Sequence, residues 1–226
     1  MIKKFGVWIL FVITGLLPII LVSFHVIVTG VNIQDTDFFK TPGFALIIVV
    51  SHGLSFTLLF YFLKKQNLKM KDIGWKFSEN FLVLRELTIG IILSLVIYIF
   101  KEIALDSLTA ILHGRSPTFH SFFNFGFKTD EFVLMAVAFL FPFVEESIFR
   151  GYPYQQWKSK WSLWKIILIS SVIFGLMHSV GGDRDITSAI NTAIIGVLYF
   201  LIFYWRKNLI CSTATHSFYN LWIMLT

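Results

Sequence analysis

Three short polar patches interrupt the apolar second half of the sequence, and their residue types could support proton-transfer chemistry. The patches read EESIFR at 145–150, FGLMH at 174–178 and HSFYN at 216–220. Each patch contains two residues four positions apart, and such residues share one face of an α-helix. Ionisable residues inside a membrane segment are rare and are functional candidates by default. We therefore expect three helices to direct these patches towards one common interior.

The two adjacent glutamates of the first patch have different expected surroundings. Glu146 precedes Arg150 by four residues, so the two side chains can pair on one helical face. Glu145 points about 100° away from Glu146, so it is not part of the pair with Arg150. A carboxylate held in a water-poor site can act as a general base. The spacing therefore predicts Glu145 as the reactive carboxylate and Glu146 as a supporting one.

Together the patches supply the groups needed to hydrolyse a peptide bond without a covalent intermediate. Glu145 and His178 can hold and deprotonate a water molecule. His216 and Asn220 can donate hydrogen bonds to the oxyanion that develops during attack. This chemistry needs no serine or cysteine nucleophile, so the predicted reaction is direct attack by water.

A zinc-dependent version of the same reaction is the alternative. Two histidines and one carboxylate, with water, form a catalytic zinc set, and the residues available for it are Glu145, His178 and His216. The local signature HExxH of many zinc proteases is absent from the sequence. We therefore expect no cofactor and keep zinc as the less favoured possibility.

The candidate residues also have purely structural interpretations. Glu146 and Arg150 could be only an ion pair at a helix end, and Asn220 could be only a hydrogen bond that links membrane helices. A lone intramembrane histidine is more often a packing residue, and we interpret His25 and His52 in this way. The functional prediction depends on the three patches occurring together.

The composition indicates a membrane protein. Of the 226 residues, 56% are hydrophobic and 14% are charged, whereas soluble domains carry roughly 25% charged residues. The net charge is +6, but the cations occupy short gaps between apolar runs, so we expect membrane lipid as a partner and no nucleic acid. The single cysteine, Cys211, excludes an internal disulfide and a cysteine-based metal cluster.

Windows of roughly 20 apolar residues predict an all-α, polytopic transmembrane helical bundle of about seven spans. The windows cover 6–29, 43–63, 81–104, 131–151, 164–180, 186–205 and 209–226.

The charges of the gaps predict the orientation of the bundle. The gap KKQNLKMKDIGWKF carries five lysines, and the gaps at 30–42, 105–130 and 181–185 hold aspartates with few cations. Positively charged loops remain on the cytoplasmic side of a membrane. We therefore expect the N-terminus in the cytoplasm.

The three patches also resemble the motifs of a known family. EESIFR fits EExxxR, FGLMH fits FxxxH and HSFYN fits HxxxN. In this order, on successive late apolar helices, they resemble the CPBP family, which includes the CAAX prenyl proteases and bacteriocin-processing enzymes and is also called the Abi family. The resemblance covers about 131–226 and implies a catalytic core there, whereas 1–130 would contribute N-terminal helices and loops to the same integral-membrane domain.

The resemblance implies a glutamate intramembrane endopeptidase of the type of the Ras-converting CAAX endopeptidase. By that likeness Glu145 and His178 would activate the water, and His216 and Asn220 would form the oxyanion hole. The residues that would support and shape the site are Glu146, Arg150 and Phe174.

The expected substrate is a peptide or a small membrane-associated protein, and the expected location is the bacterial plasma membrane. The small size of the chain resembles bacterial members of the family, some of which are linked to bacteriocin self-immunity, so a prenylated substrate is not implied. One alternative is a non-catalytic bacteriocin self-immunity or scaffold membrane protein. Another is a small transporter, which would be expected to show related halves, and the sequence shows no obvious internal repeat.

Overall fold

The computed structural model describes residues 2–30, 42–77, 80–114, 132–178 and 186–225. Every regular element in these ranges is helical, which confirms the predicted all-α bundle. The aspartate-containing gaps at 30–42, 105–130 and 181–185 lie largely or wholly outside the described residues.

The first half of the chain forms long helices. They are α1 (Ile2–Thr29), α2 (Pro42–Lys65), α3 (Asn80–Phe100) and α4 (Ser107–Leu112). A 3₁₀ turn (Met70–Ile73) lies between α2 and α3, and a π-helical turn (Lys101–Asp106) joins α3 to α4 without a break.

The second half consists of one interrupted helical stretch followed by three continuous helices. In chain order its elements are α5 (Phe132–Leu140), α6 (Pro142–Glu146), a π-helical turn (Ser147–Gly151), α7 (Tyr152–Trp157), α8 (Leu163–His178), α9 (Ile186–Arg206) and α10 (Leu209–Leu225). The polar patches therefore lie on α6 with its π-helical turn, on α8 and on α10.

Four helical stretches in the described residues are long and apolar enough to cross a membrane. They are Phe5–Thr29, Gly43–Lys65, Leu82–Leu112 and Ile186–Arg206, and α8 is a shorter apolar helix. The count of about seven spans stays a prediction.

The third stretch extends beyond its predicted end at residue 104, since it continues through α4. The charged residues near that predicted end neutralise one another within the helix, because Lys101 Nζ lies 2.8 Å from carboxylate oxygens of both Glu102 and Asp106.

Pro142 interrupts the helical stretch predicted at 131–151, just before the two glutamates. Proline has no N–H, so the carbonyl group of Ala138, four residues earlier, lacks its helical donor. Asn220 Nδ2 donates to the Ala138 oxygen over 3.0 Å, and Ser217 Oγ donates to the Phe139 oxygen over 2.7 Å. Two side chains of α10 therefore hold the end of α5, and this contact fixes where α6 begins.

The lysine-rich loop between α2 and α3 packs against the first polar patch. Its Ile73 and Trp75 are buried, and Trp75 Nε1 donates to Ser147 Oγ over 2.8 Å. A Cβ atom at Gly151 would overlap the carbonyl oxygen of Ile73, so the glycine permits this close approach. The lysine-rich loop, which the sequence shows only as a charged gap, therefore contributes buried side chains to the core next to Glu146.

Candidate active site

Glu146 and Arg150 form an ion pair in the interior of the bundle. Both residues are 0% exposed, and Arg150 Nη1 lies 3.1 Å from Glu146 Oε1, in agreement with their four-residue spacing. Arg150 Nη2 donates to the carbonyl oxygen of Gly196 over 3.3 Å. The guanidinium carbon also lies 4.2 Å from the centre of the Phe174 ring. These contacts offset part of the cost of burying the charged pair.

His216 on α10 lies between the two glutamates. Its Nδ1 is 3.1 Å from Glu146 Oε1, which is a hydrogen bond. Its Nε2 is 3.6 Å from Glu145 Oε2, which is beyond hydrogen-bonding distance. The ring of Tyr199 on α9 stacks on the imidazole with a centroid separation of 4.5 Å. Glu146 and Tyr199 therefore orient His216 so that its second nitrogen faces Glu145.

Glu145 is more accessible than its neighbour. The side chain of Glu145 is 13% exposed, against 0% for Glu146. Its Oε1 lies 3.1 Å from Nε2 of His52 on α2. Among the described residues its Oε2 makes no hydrogen bond and faces His216. One oxygen of Glu145 is therefore engaged, and the other is available for a water molecule.

The placement of His52 corrects the sequence interpretation, which treated it as a packing residue and gave Glu145 no partner except His178 and water. His52 was missed because the neighbouring residues of α2 are apolar or small hydroxyl residues, so no motif marks it. Its contact with Glu145 depends on how α2 packs against α6, which helical spacing along one segment does not reveal.

The ring nitrogens of His52 have definable roles. Nδ1 lies 3.0 Å from the carbonyl oxygen of Ile48, and a carbonyl can only accept, so Nδ1 carries a proton. The contact between Nε2 and Glu145 Oε1 needs a further proton, held by either the imidazole or the carboxyl group. His52 and Glu145 therefore share one proton across this contact.

His178 reaches the same cluster through Phe174. The two rings lie 4.3 Å apart, and the Phe174 ring is 5.7 Å from that of His216. His178 Nδ1 lies 2.8 Å from the carbonyl oxygen of Phe174, which can only accept, so the lone pair of a neutral ring is at Nε2. His178 is also close enough to act electrostatically on Glu145.

Asn220 lies one helical turn beyond His216, and its side-chain nitrogen donates to the carbonyl oxygen of Ala138. This contact matches the interpretation of Asn220 as a link between helices. A primary amide has a second N–H, so the link leaves a further donor on the same group. The structure therefore gathers six predicted site residues and directs Asn220 towards α5; the six are Glu145, Glu146, Arg150, Phe174, His178 and His216.

The candidate zinc ligands Glu145 and His216 face other polar side chains. His216 faces one glutamate with each of its two nitrogens, and Glu145 Oε1 faces His52. Within the described ranges no group of three histidine, cysteine, aspartate or glutamate side chains is placed to hold a metal ion. Both the expected absence of a cofactor and the alternative zinc set Glu145, His178 and His216 stay predictions.

A helical membrane bundle with a carboxylate and histidines at the meeting point of its helices has the inventory of an intramembrane hydrolase. Residues 128–222 match the family model of the type II CAAX prenyl endopeptidases, described as Rce1-like. This match confirms the resemblance that the three motifs predicted, and it covers the part of the chain that carries all three of them. Searches of the curated proteins and of the solved structures found no significant match.

Replacing Glu146 is expected to destabilise the fold far more than replacing Glu145. Glu146→Gln leaves the charge of Arg150 buried without its carboxylate, and breaking a buried pair in this way costs about 3–5 kcal/mol. Glu145→Gln keeps a hydrogen-bonding group beside His52 and is expected to cost about 1 kcal/mol or less. Denaturant unfolding in detergent micelles, followed by tryptophan fluorescence, measures both. Equal losses for the two variants would contradict this division of roles.

Proposed function

We propose that the protein is an intramembrane endopeptidase in which Glu145 is the general base that activates water. The observation that carries this proposal is the difference between the two adjacent glutamates. Glu146 is fully buried and engaged by Arg150 and His216. Glu145 is partly accessible and keeps Oε2 available. The substrate class is a peptide or a small membrane-associated protein, and the site of action is the bacterial plasma membrane.

In the proposed reaction Glu145 Oε2 takes a proton from water while the water oxygen bonds to the scissile carbonyl carbon. The carbonyl electron pair moves to oxygen, and this oxyanion accepts hydrogen bonds from His216 Nε2–H and the second N–H of Asn220. The C–N bond then breaks, and the departing amine receives the proton from Glu145. His178, through the lone pair at Nε2, accepts a hydrogen bond from the water and orients it.

The remaining residues of the first two motifs support this chemistry without touching the reacting atoms. Glu146 orients His216 through Nδ1, and Arg150 holds Glu146. Phe174 covers the guanidinium group with its ring and positions His178 through its carbonyl oxygen.

Glu145→Gln and His178→Ala are each expected to lower cleavage by about 10²–10⁴-fold, which is the usual contribution of general acid–base catalysis. The measurement uses a positional library of internally quenched peptides with the purified protein in proteoliposomes. His25→Ala on α1 is the matched control and is expected to cleave at the wild-type rate. A folded Glu145→Gln variant with full activity would exclude the assigned mechanism.

The natural substrate can be found by the same comparison in cells. Peptides from cells that carry the wild type are compared with peptides from cells that carry Glu145→Ala. New termini that appear only with the wild type identify the cleaved sequence.

Chelation is expected to leave cleavage unchanged, because the described side chains form no coordination shell. The proteoliposomes are incubated with a membrane-permeant chelator before the peptide library is added. Zinc content is measured by elemental analysis in parallel. A loss of activity on chelation that added zinc restores would favour the zinc version instead.

The charges of the loops support an N-terminus in the cytoplasm. In a Cys211→Ser background, we expect a membrane-impermeant maleimide to label Leu112→Cys in intact cells, because that end of α4 would face outwards. Lys69→Cys, in the lysine-rich loop, is expected to react only after permeabilisation. Both positions are exposed in the structure. The opposite labelling pattern would reverse the proposed orientation.

A further inference from the structure

The contact between His52 and Glu145 lies outside the three motifs and outside the matched residues 128–222. His52 belongs to α2, and its side chain is 10% exposed. Its Nε2 lies 3.1 Å from Glu145 Oε1, whereas His216 Nε2 lies 3.6 Å from Glu145 Oε2. The chemistry proposed above assigns no role to this contact.

His52 is itself held in place from two sides. Its Nδ1 donates to the carbonyl oxygen of Ile48, one turn earlier on the same helix, over 3.0 Å. Its ring stacks on Phe141 with a centroid separation of 4.2 Å and an angle of 19° between the planes. Phe141 directly precedes Pro142, where the helix is interrupted between α5 and α6. The position of Nε2 is therefore set by the backbone of α2 and by the helix interruption just before Glu145.

The held imidazole limits how the carboxylate of Glu145 can turn. The last torsion of a glutamate side chain has a broad, roughly two-fold energy profile, so packing alone does not fix its oxygens. A general base needs one oxygen within about 2.6–3.2 Å of the group that loses the proton. With Oε1 bound by His52, Oε2 is the oxygen that faces His216. The contact therefore fixes the orientation of the carboxylate plane, so that the oxygen not bound by His52 is presented in a defined direction.

We propose that His52 is a positioning residue that orients the Glu145 carboxylate for attack by water. This inference rests on the proposed role of Glu145 as general base. It extends the site from the matched C-terminal helices to α2, so the N-terminal helices contribute to the reaction geometry and not only to membrane anchoring.

A pair of substitutions separates the two nitrogens of His52. Glutamine places its amide nitrogen near the position of Nε2, so His52→Gln retains a donor towards Glu145. Asparagine is shorter and places its amide nitrogen near Nδ1, so His52→Asn retains only the donor towards Ile48. His52→Leu removes both nitrogens and keeps an apolar contact with Phe141.

Misplacing a catalytic group by about 1 Å can lower a rate about 10²-fold. We therefore expect His52→Asn and His52→Leu to lose about 10²-fold in kcat on the best-cleaved quenched peptide, and we expect His52→Gln to retain most of the wild-type kcat. KM is expected to remain unchanged in all three, because the contact does not bind substrate. Thermal unfolding of each variant is measured alongside cleavage, and in a Glu145→Gln background His52→Asn is expected to cause no further loss.

The outcomes distinguish the two proposals. If His52→Asn cleaves at the wild-type rate while cleavage still depends on Glu145, only the proposed role of His52 is overturned. Equal kcat losses in folded His52→Gln and His52→Asn would also overturn it, because the donor at the Nε2 position would then have no effect. If His52→Asn unfolds, His52→Leu takes its place in the comparison. Equal kcat losses in folded His52→Leu and His52→Gln would then overturn the role of His52. If the wild type cleaves no faster than Glu145→Gln, the proposed function itself is overturned.

Discussion

The buried ion pair between Glu146 and Arg150 is the interaction on which the rest of the site depends. Removing two charges from water is costly, and their attraction compensates only when further groups satisfy them. Here three helices supply part of those groups, while Glu146 Oε2 and Arg150 Nε have no hydrogen-bond partner among the described residues. Phe174 of α8 covers the guanidinium face, Gly196 of α9 accepts a hydrogen bond from it, and His216 of α10 contacts the carboxylate. The pair therefore gathers the three helices that carry or adjoin the polar patches.

The same pair gives the adjacent carboxylate its distinct surroundings. Because neighbouring residues on a helix point about 100° apart, fixing Glu146 towards α8, α9 and α10 turns Glu145 towards α2. There it meets His52, while its second oxygen faces His216. Glu146 is buried in the ion pair, whereas Glu145 remains partly accessible and has one oxygen available for water. The CAAX-type protease match over 128–222 agrees with this inventory.

The sequence predicted the interactions within one helix and the convergence of the three polar patches, but it did not predict the particular contacts between helices. The apolar windows predicted the helical stretches because length and hydropathy are local properties, and the four-residue spacing predicted the pair Glu146–Arg150. The contact of His52 with Glu145 depends on the approach of α2. The hydrogen bond of Asn220 depends on the carbonyl group that Pro142 leaves without a donor. The burial of Trp75 depends on the lysine-rich loop folding back onto the π-helical turn, which its charge did not suggest.

We propose that the charges of Glu146 and Arg150 support the fold and that Glu145 carries out the proton transfer. The most direct test of this proposal is peptide cleavage by the double variant Glu146→Gln/Arg150→Met. This variant removes both charges together and keeps an oxygen that can accept from His216. Removing both partners of a buried pair is far less damaging than removing one, so we expect a folded protein that retains most of its Glu145-dependent cleavage. A double variant as stable as the wild type but no more active than Glu145→Gln would contradict the proposal, because the charge of Glu146 would then take part in the reaction.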